Sequence, residues 1–410
     1  MTLRDVIIIG AGPAGLSAAR ALSRLGVEDI LVLEREGEAG GVPRHCGHTG
    51  FGIGEFRRPM TGPAYARRLV AASGGVELRC RVAVTRLGQG GVLTIASPNG
   101  EETLTGRHVL LATGARETPR SARLIGGTRP WGVTTTGALQ QMVYLEGMRP
   151  FRRAVIVGTE LVSFSALLTL RDAGIAVSAM IEEADRITAR RPGDLIARWL
   201  FGVPVLTSAT SIVIEGNDLT TGVAFEHAGE RRTISCDCVV FSGRFVPEAA
   251  LLRNSHLALD PGTGGPVVDQ HWRCSDPTYF CAGNLLRGIE TAGRCYREGA
   301  AAAASIAAAR GGRLPPPGRL VTVATRGPLR YVYPQIVASP GEPLSDLMLK
   351  ARVSRAARGR LRLVVNGREV WSCAIHALPE RRIGLPARLV PVDDLDTLAV
   401  EMAETQERGL

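Results

Sequence analysis

The sequence predicts an α/β protein with two Rossmann-like domains and a C-terminal antiparallel β domain. Three observations carry that reading. A glycine-rich turn stands between a strand and a helix near the start, and a second strand–helix–strand pattern follows residue 153. Beyond a proline run at 315–317 the chain changes to short alternating segments. At 410 residues it has the length for roughly two to three domains and a buried core.

The first βαβ unit runs from Val6 to Glu34. Val6-Ile7-Ile8-Ile9 reads as a buried strand, and Gly10-Ala11-Gly12-Pro13-Ala14-Gly15 opens a helix that ends near Leu25. Ile30-Leu31-Val32-Leu33 is the second strand. Residues 76–115 read as a β meander, with alternation over 76–84, a turn at Asn99-Gly100 and a closing strand Val109-Leu110-Leu111-Ala112. The second βαβ unit starts at Ala154-Val155-Ile156-Val157-Gly158 and reaches Met180-Ile181-Glu182. Another meander, 205–245, ends in Val239-Val240-Phe241-Ser242. An alanine-rich helix is expected from about Tyr296 to Arg310, then a stiff linker over 313–318. In the last part, residues 361–365 and Glu369-Val370-Trp371 flank Asn366-Gly367, a pair that supplies the positive φ angles of a two-residue hairpin turn. A small sandwich is expected there. The expected boundaries are 1–122 and 265–312 for a first dinucleotide domain in two pieces. An inserted Rossmann-like domain takes 123–264, and the β domain 319–410.

A net charge of +10 raises the question of a nucleic-acid partner. The positives are scattered, in pairs such as Arg57-Arg58, Arg67-Arg68, Arg190-Arg191 and Arg381-Arg382, and Lys350 is the only lysine. No basic stripe interleaves with aromatics, so an arginine-biased composition explains the charge and no nucleic-acid partner is expected. The best apolar run, 154–170, is interrupted by Glu160, so no transmembrane segment is expected. A strand beginning at Val6 leaves no room for a signal peptide, and a cytoplasmic location is the expectation. The eight cysteines (46, 80, 236, 238, 274, 281, 295, 373) form no C-x-x-C pair. Reduced thiols are expected, with no zinc ribbon, iron–sulfur cluster or other metal site in this chain.

The chemistry lies in the glycine turns. Gly10 allows the tight turn, Gly12 lets the backbone approach a pyrophosphate, and Gly15 lets helix and strand pack closely. The helix N-terminus then favours phosphate charge. Glu34, at the next strand end, can accept hydrogen bonds from ribose hydroxyls. Gly40-Gly41 completes a Glu-x5-Gly-Gly pattern, and Thr278-Tyr279-Phe280-Cys281-Ala282-Gly283-Asn284 is an apolar strand ending in a small-residue turn. Ala112-Thr113-Gly114-Ala115 and Gly243-Arg244-Phe245-Val246-Pro247 each follow directly on an apolar strand.

These ordered segments resemble flavoproteins of the glutathione-reductase, or pyridine nucleotide-disulfide oxidoreductase, type. The resemblance implies FAD, held by Gly10, Gly12, Pro13, Ala14, Gly15, Glu34, Arg35, Gly41, Val82, Ala112, Thr113, Gly114, Gly283 and Asn284. Asn284 replaces the usual Asp, and so loses charge-assisted strength toward a ribityl hydroxyl. The stretch from Gly40 to His48, with Gly50-Phe51-Gly52 and Thr61-Gly62-Pro63-Ala64-Tyr65, narrows the likeness. It is similar to the FAD-binding alpha subunits of heteromeric opine oxidase, hydroxyproline dehydrogenase and hydrogen cyanide synthase, over roughly residues 1–310. That likeness implies oxidation of a small amino-acid-like or hydroxy compound beside partner subunits. Several such subunits end in a cysteine-rich iron–sulfur domain. This chain ends with Cys373 alone in its last part, so any cluster belongs to a partner.

Two segments depart from the pattern. Gly158-Thr159-Glu160-Leu161-Val162-Ser163 occupies the second dinucleotide slot, with Glu160 where the backbone must approach a pyrophosphate and Ser163 where the third glycine packs. Glu182 could still hold a ribose. A scaffold domain is expected, and NAD(P) binding is doubtful. In disulfide reductases two cysteines would stand at Pro43 and His48. Here His45, Cys46 and His48 are the catalytic candidates, the histidines as proton relays and the thiol as a peroxidatic or merely packed residue. Three functions remain open: a flavin dehydrogenase within a heteromeric assembly, an NAD(P)H-dependent reductase, or an electron-relay or structural flavin subunit.

Overall fold

The computed structural model describes residues 2–189, 193, 196–341, 343–344 and 348–405; Arg190-Arg191 lies outside them. Among the described residues the chain groups into two compact units. One holds Met1–Gly40, Leu69–Ala115 and Pro247–Leu410, the other Gly41–Arg68 and Arg116–Val246. The expected boundaries put 41–68 with the first domain; in space that segment groups with the second unit.

The first unit is built on a sheet whose parallel strands run Glu77–Cys80, Ile30–Glu34, Thr2–Ile9, Gly100–Leu111, with Tyr279–Cys281 beside the last. Val6, Ile7 and Ile8 are fully buried, and every residue of Ile30–Glu34 is buried. Strands covered on both faces read as unbroken apolar runs, which is why these were visible in the sequence. The meander folds back antiparallel through Val92–Ser97 and Ala83–Leu87, turning at Pro98-Asn99, one residue before the expected Asn99-Gly100, because Gly100 already pairs with Ser97.

The first helix, Pro13–Arg24, starts with proline in its first turn and buries Leu16, Ala18, Ala19 and Leu22. The alanine-rich helix runs Ala292–Arg310, one turn earlier than expected, because the extended Thr291 is its N-cap. Gly293 in that first turn hides the start from propensity. The two helices lie against each other at close range: a Cβ on Gly299 would come within 2.0 Å of the Ala14 carbonyl oxygen.

The C-terminal β domain, in the same unit, has two sheets. One is ordered Ile336–Ser339, Arg319–Arg326, Leu398–Glu404, Ala357–Val365, Arg368–Ala377; the other joins Leu329–Tyr333, Lys350–Val353 and Ile383–Gly384. All pairs are antiparallel except Arg319–Arg326 with Leu398–Glu404. The last strand enters between Arg319–Arg326 and Ala357–Val365, which run in opposite directions, so it must lie parallel to one of them. Asn366 and Gly367 take φ +48° and +76°, the hairpin turn expected of that pair.

In the second unit five parallel strands are ordered Val133–Thr135, Cys238–Phe241, Arg153–Val157, Ala176–Ile181, Val205–Leu206. Alternate residues face two separate cores: Val155, Val157, Val239 and Phe241 on one side, Ala154, Ile156, Cys238 and Val240 on the other. The helix Leu161–Asp172 sends Ala166, Leu167 and Leu170 into the second core. A three-stranded antiparallel meander, Thr210–Glu215, Gly222–His227 and Glu230–Ser235, supplies Ile212, Ile214 and Val223 to the first. Among the described residues no helix is long and apolar enough to cross a membrane.

Candidate functional site

The first glycine turn is pinned at its base by the sheet. Gly10 N donates to Leu33 O at 2.8 Å and Ala112 N donates to Ile9 O at 2.8 Å. Gly10 sits at φ +104°, and a Cβ there would approach Ala112 O to 2.5 Å. A Cβ on Gly15 would fall 1.9 Å from Gly10 O, so only glycine lets the helix start this close to the strand. Gly12 is the N-cap and brings no side chain over the helix N-terminus, so the first-turn N–H groups stay available to an anion.

Glu34 is buried, its two oxygens accepting from Ala11 N and Glu36 N at 2.9 Å each. Those bonds hold the carboxylate beside the turn. Gly40 N donates to Ala11 O at 2.8 Å, and Val82 N to Glu34 O at 2.9 Å, so both bracket the same corner. Arg35 is exposed and paired with Glu36 at 3.6 Å. Gly41 groups with the second unit, its carbonyl accepting from Arg44 N. The Ala112-Thr113-Gly114 segment is tied to Glu248, whose carbonyl accepts from Thr113 Oγ1 at 2.9 Å and whose N donates to Gly114 O.

The later signature docks on the first helix. Gly283, at φ +76°, leaves room for one methyl only: its own Cβ would lie 2.8 Å from Ala14 Cβ. Asn284 closes the loop that follows, Oδ1 accepting from Glu290 N at 2.7 Å and Nδ2 donating to Glu290 O at 3.2 Å. An aspartate could make the first bond but not the second, since a carboxylate has no donor. This explains the amide where the resemblance leads one to expect an acid.

The second turn repeats the backbone and changes the side chains. Gly158, at φ +117°, donates to Ile181 O at 2.8 Å, and Ser242 N donates to Val157 O at 2.9 Å. Glu160 is the N-cap of Leu161–Asp172, and its carboxylate lies against Gly243 and accepts from Arg244 N at 2.7 Å. Ser163 is fully buried and donates to Ser242 Oγ at 2.9 Å. Glu182 is buried and already accepts from Thr159 Oγ1, from Thr188 Oγ1 at 3.1 Å and from Ala184 N at 3.1 Å.

His45, Cys46 and His48 lie in the second unit. Burial, helped by Arg44, lowers His45 to about 4, so its ring is neutral at physiological pH. Burial and nearby Glu117 push the Cys46 thiol up to about 12. It remains an S–H, directed at Val42 O (3.5 Å) and Gln140 Oε1 (3.6 Å). That is the environment of a packed thiol and not of an attacking thiolate. His48 is half-buried, its Nδ1 2.9 Å from Thr49 O and its ring 5.2 Å from that of Phe51.

Sequence reasoning missed Glu117. Its half-buried carboxylate, raised by desolvation, accepts from Gly137 N at 2.7 Å and Gly243 N at 2.9 Å. It also missed Arg123, which donates to Ser242 O and Gly243 O, and Arg287, which is fully buried and pairs with Glu298. Each meets partners well separated in sequence, and no local pattern marks them. Among the described residues no cluster of acidic, histidine and cysteine side chains could hold a metal.

Parallel sheets with a glycine turn at the carboxyl end of the first strand define a dinucleotide-binding class. Residues 4–299 match the pyridine nucleotide-disulphide oxidoreductase family, and the chain belongs to it. It is 29% identical over 341 residues to the opine oxidase A-subunit of Rhizobium meliloti (strain 1021), covering 76% of this chain and 72% of that one. With the sarcosine oxidase alpha-subunit of the same strain it shares 28% over 350 residues; the match covers 80% of this chain and only 33% of that longer relative. In fold it is similar to T. acidophilum thioredoxin reductase, with TM-score 0.63 at 22% identity over 75% of this chain and 99% of the other. The protein is an FAD-dependent oxidoreductase of this family.

Proposed function

We propose that this chain is the flavin-bearing subunit of a heteromeric dehydrogenase or oxidase that acts on a small amino-acid-like or hydroxy compound. One observation carries the reading: of two dinucleotide turns with the same backbone, the first has a bare glycine N-cap and the second carries its own carboxylate. FAD fits the first. Gly10, Gly12, Pro13, Ala14 and Gly15 would surround the pyrophosphate, and Glu34, Arg35 and Val82 the adenosine side. Ala112, Thr113, Gly114, Gly283 and Asn284, all in the same unit, complete the set. Bound there, the flavin supplies hydride or electron transfer, while the protein positions it and sets its electrostatics.

Similarity to single subunits of opine oxidase and of sarcosine oxidase supports partner chains, which would also bring any iron–sulfur cluster. His45 stays neutral and Cys46 protonated, so His48 is the residue we assign to proton exchange. The competing reading is an NAD(P)H-dependent reductase, favoured by the intact frame around Gly158. Anaerobic mixing of the holoprotein with opines, secondary amines and 2-hydroxy acids should bleach the flavin. Bleaching by NADH or NADPH alone supports the reductase, and bleaching only with a partner chain present supports an electron-relay role.

A further inference from the structure

The family match stops at residue 299, and the β domain beyond it has no role in that match. The structure gives it one. Residues 283–291 form the loop between Tyr279–Cys281 and the alanine-rich helix. At one end Gly283 rests on the first helix at Ala14, and Asn284 is braced on Glu290. At the other end the loop is gripped from the β domain, in the same compact unit.

Two strands of the small three-stranded sheet, and the residue just before the third, contribute one contact each. Tyr333, at the end of Leu329–Tyr333 and fully buried, lies under the Arg287 guanidinium at 4.3 Å. Arg352, in Lys350–Val353, donates to Ile289 O at 3.1 Å. Arg382, next to Ile383–Gly384, donates to Glu290 Oε2 at 2.6 Å. Within the loop Arg287 is only 1% exposed and pairs with Glu298 and, at 3.7 Å, with Glu290. Arg294 reaches Glu290 at 3.4 Å.

Glu290 is thus the junction. Its backbone N and O hold Asn284, while its carboxylate is held from the β domain by Arg382. Its side chain is 6% exposed, so its charge depends on these arginines for compensation. Fixed charge pairs with an aromatic backing define one loop geometry, where a solvated loop of this size would sample many.

We propose that Tyr333, Arg352 and Arg382 are positioning residues of the flavin site, acting through Arg287, Ile289 and Glu290 to hold Gly283 and Asn284 in their binding geometry. The inference rests on the assignment of FAD to these residues. It makes the C-terminal β domain a working part of the cofactor site, and it predicts that flavin affinity responds to substitutions in that domain.

The test uses the full chain stripped of flavin, titrated with FAD by fluorescence quenching, with the flavin midpoint potential and the melting temperature of the apoprotein measured in parallel. Arg382→Ala should weaken FAD binding about tenfold and shift the potential, and Arg382→Lys should recover most of the loss. Tyr333→Leu, which keeps the volume apolar but removes the ring under Arg287, should act in the same direction. A lowered apoprotein melting temperature with unchanged FAD affinity and potential in these variants overturns the proposal, leaving a purely architectural domain. Wild type that takes up no FAD overturns the cofactor assignment first, a distinguishable result.

Discussion

The two dinucleotide turns are nearly the same object made twice. Gly10 and Gly158 both take positive φ, both donate to the neighbouring strand, at Leu33 O and Ile181 O, and both abut a carbonyl, of Ala112 and Ser242. Even the N-caps agree, Gly12 at φ −86°, ψ −171° and Glu160 at φ −67°, ψ 169°. Only side chains differ. At the first turn the N-cap Gly12 brings none to the helix N-terminus, and Glu34 accepts from the backbone N–H groups of Ala11 and Glu36. At the second, Glu160 places a carboxylate on the exit turn, and Glu182 is engaged by two threonine hydroxyls. The sheet and its two cores do not depend on what the turn faces, so the side chains at the turn can change while the fold stays the same.

The largest effect expected from this comparison comes from putting a side chain where the first turn has none. Gly12→Val should block close approach of the pyrophosphate and yield colourless protein, checked by the flavin absorbance of the purified variant. Full FAD content in that variant breaks the assignment of the first turn.

The converse change acts at the second turn. A carboxylate about 4 Å from a phosphate charge costs roughly 4 kcal/mol at an effective dielectric near 20, on the order of a thousandfold in affinity. Wild type should therefore show no rapid flavin reduction at micromolar NADH or NADPH in anaerobic stopped flow. Glu160→Gly should gain measurable nicotinamide binding, limited by the engagement of Glu182. Rapid reduction in wild type removes the asymmetry altogether.

Smaller effects separate the two acids. Glu34→Gln loses a charge-assisted acceptor, worth about 1.5 kcal/mol or more, and should lower FAD affinity at least about tenfold. Glu182→Gln should leave FAD affinity unchanged in the same titration. Equal loss in both variants means that the acids serve one site and the comparison fails.

The smallest expected effect is none. Cys46 is buried, protonated and without a second thiol at Pro43 or His48, so dithionite should deliver about two electrons per flavin in wild type and in Cys46→Ala. Four-electron uptake with a thiolate–flavin charge-transfer band returns Cys46 to a redox role.

Most of the architecture was legible because it is local. Apolar strands buried on both faces, a glycine turn between strand and helix, and Asn-Gly at a hairpin each announce themselves within a dozen residues. Local propensity places the start of the alanine-rich helix a turn late, because Gly293 weakens the signal while the N-cap is set by the loop before it. The one parallel pair in the β domain was not legible either, since it follows from where the last strand inserts. By sequence pattern Asn284 is a weakened ligand, yet its amide is the group that can bond both N and O of Glu290.

By itself, then, the sequence determined the α/β class with two Rossmann-like domains, the glycine turn at Gly10–Gly15 with Glu34 at the next strand end, and the glutamate at position 160 of the second turn. Those are properties of short stretches whose backbone conformation depends on neighbours along the chain. Only the tertiary structure decided that residues 41–68 group with the second unit, that Glu182 is already engaged by Thr159 and Thr188, and that the β domain grips the loop after Gly283 through Tyr333, Arg352 and Arg382. Burial and charge pairing across many residues of chain have no local signature, because each partner is chosen by the packing of elements and not by spacing in sequence.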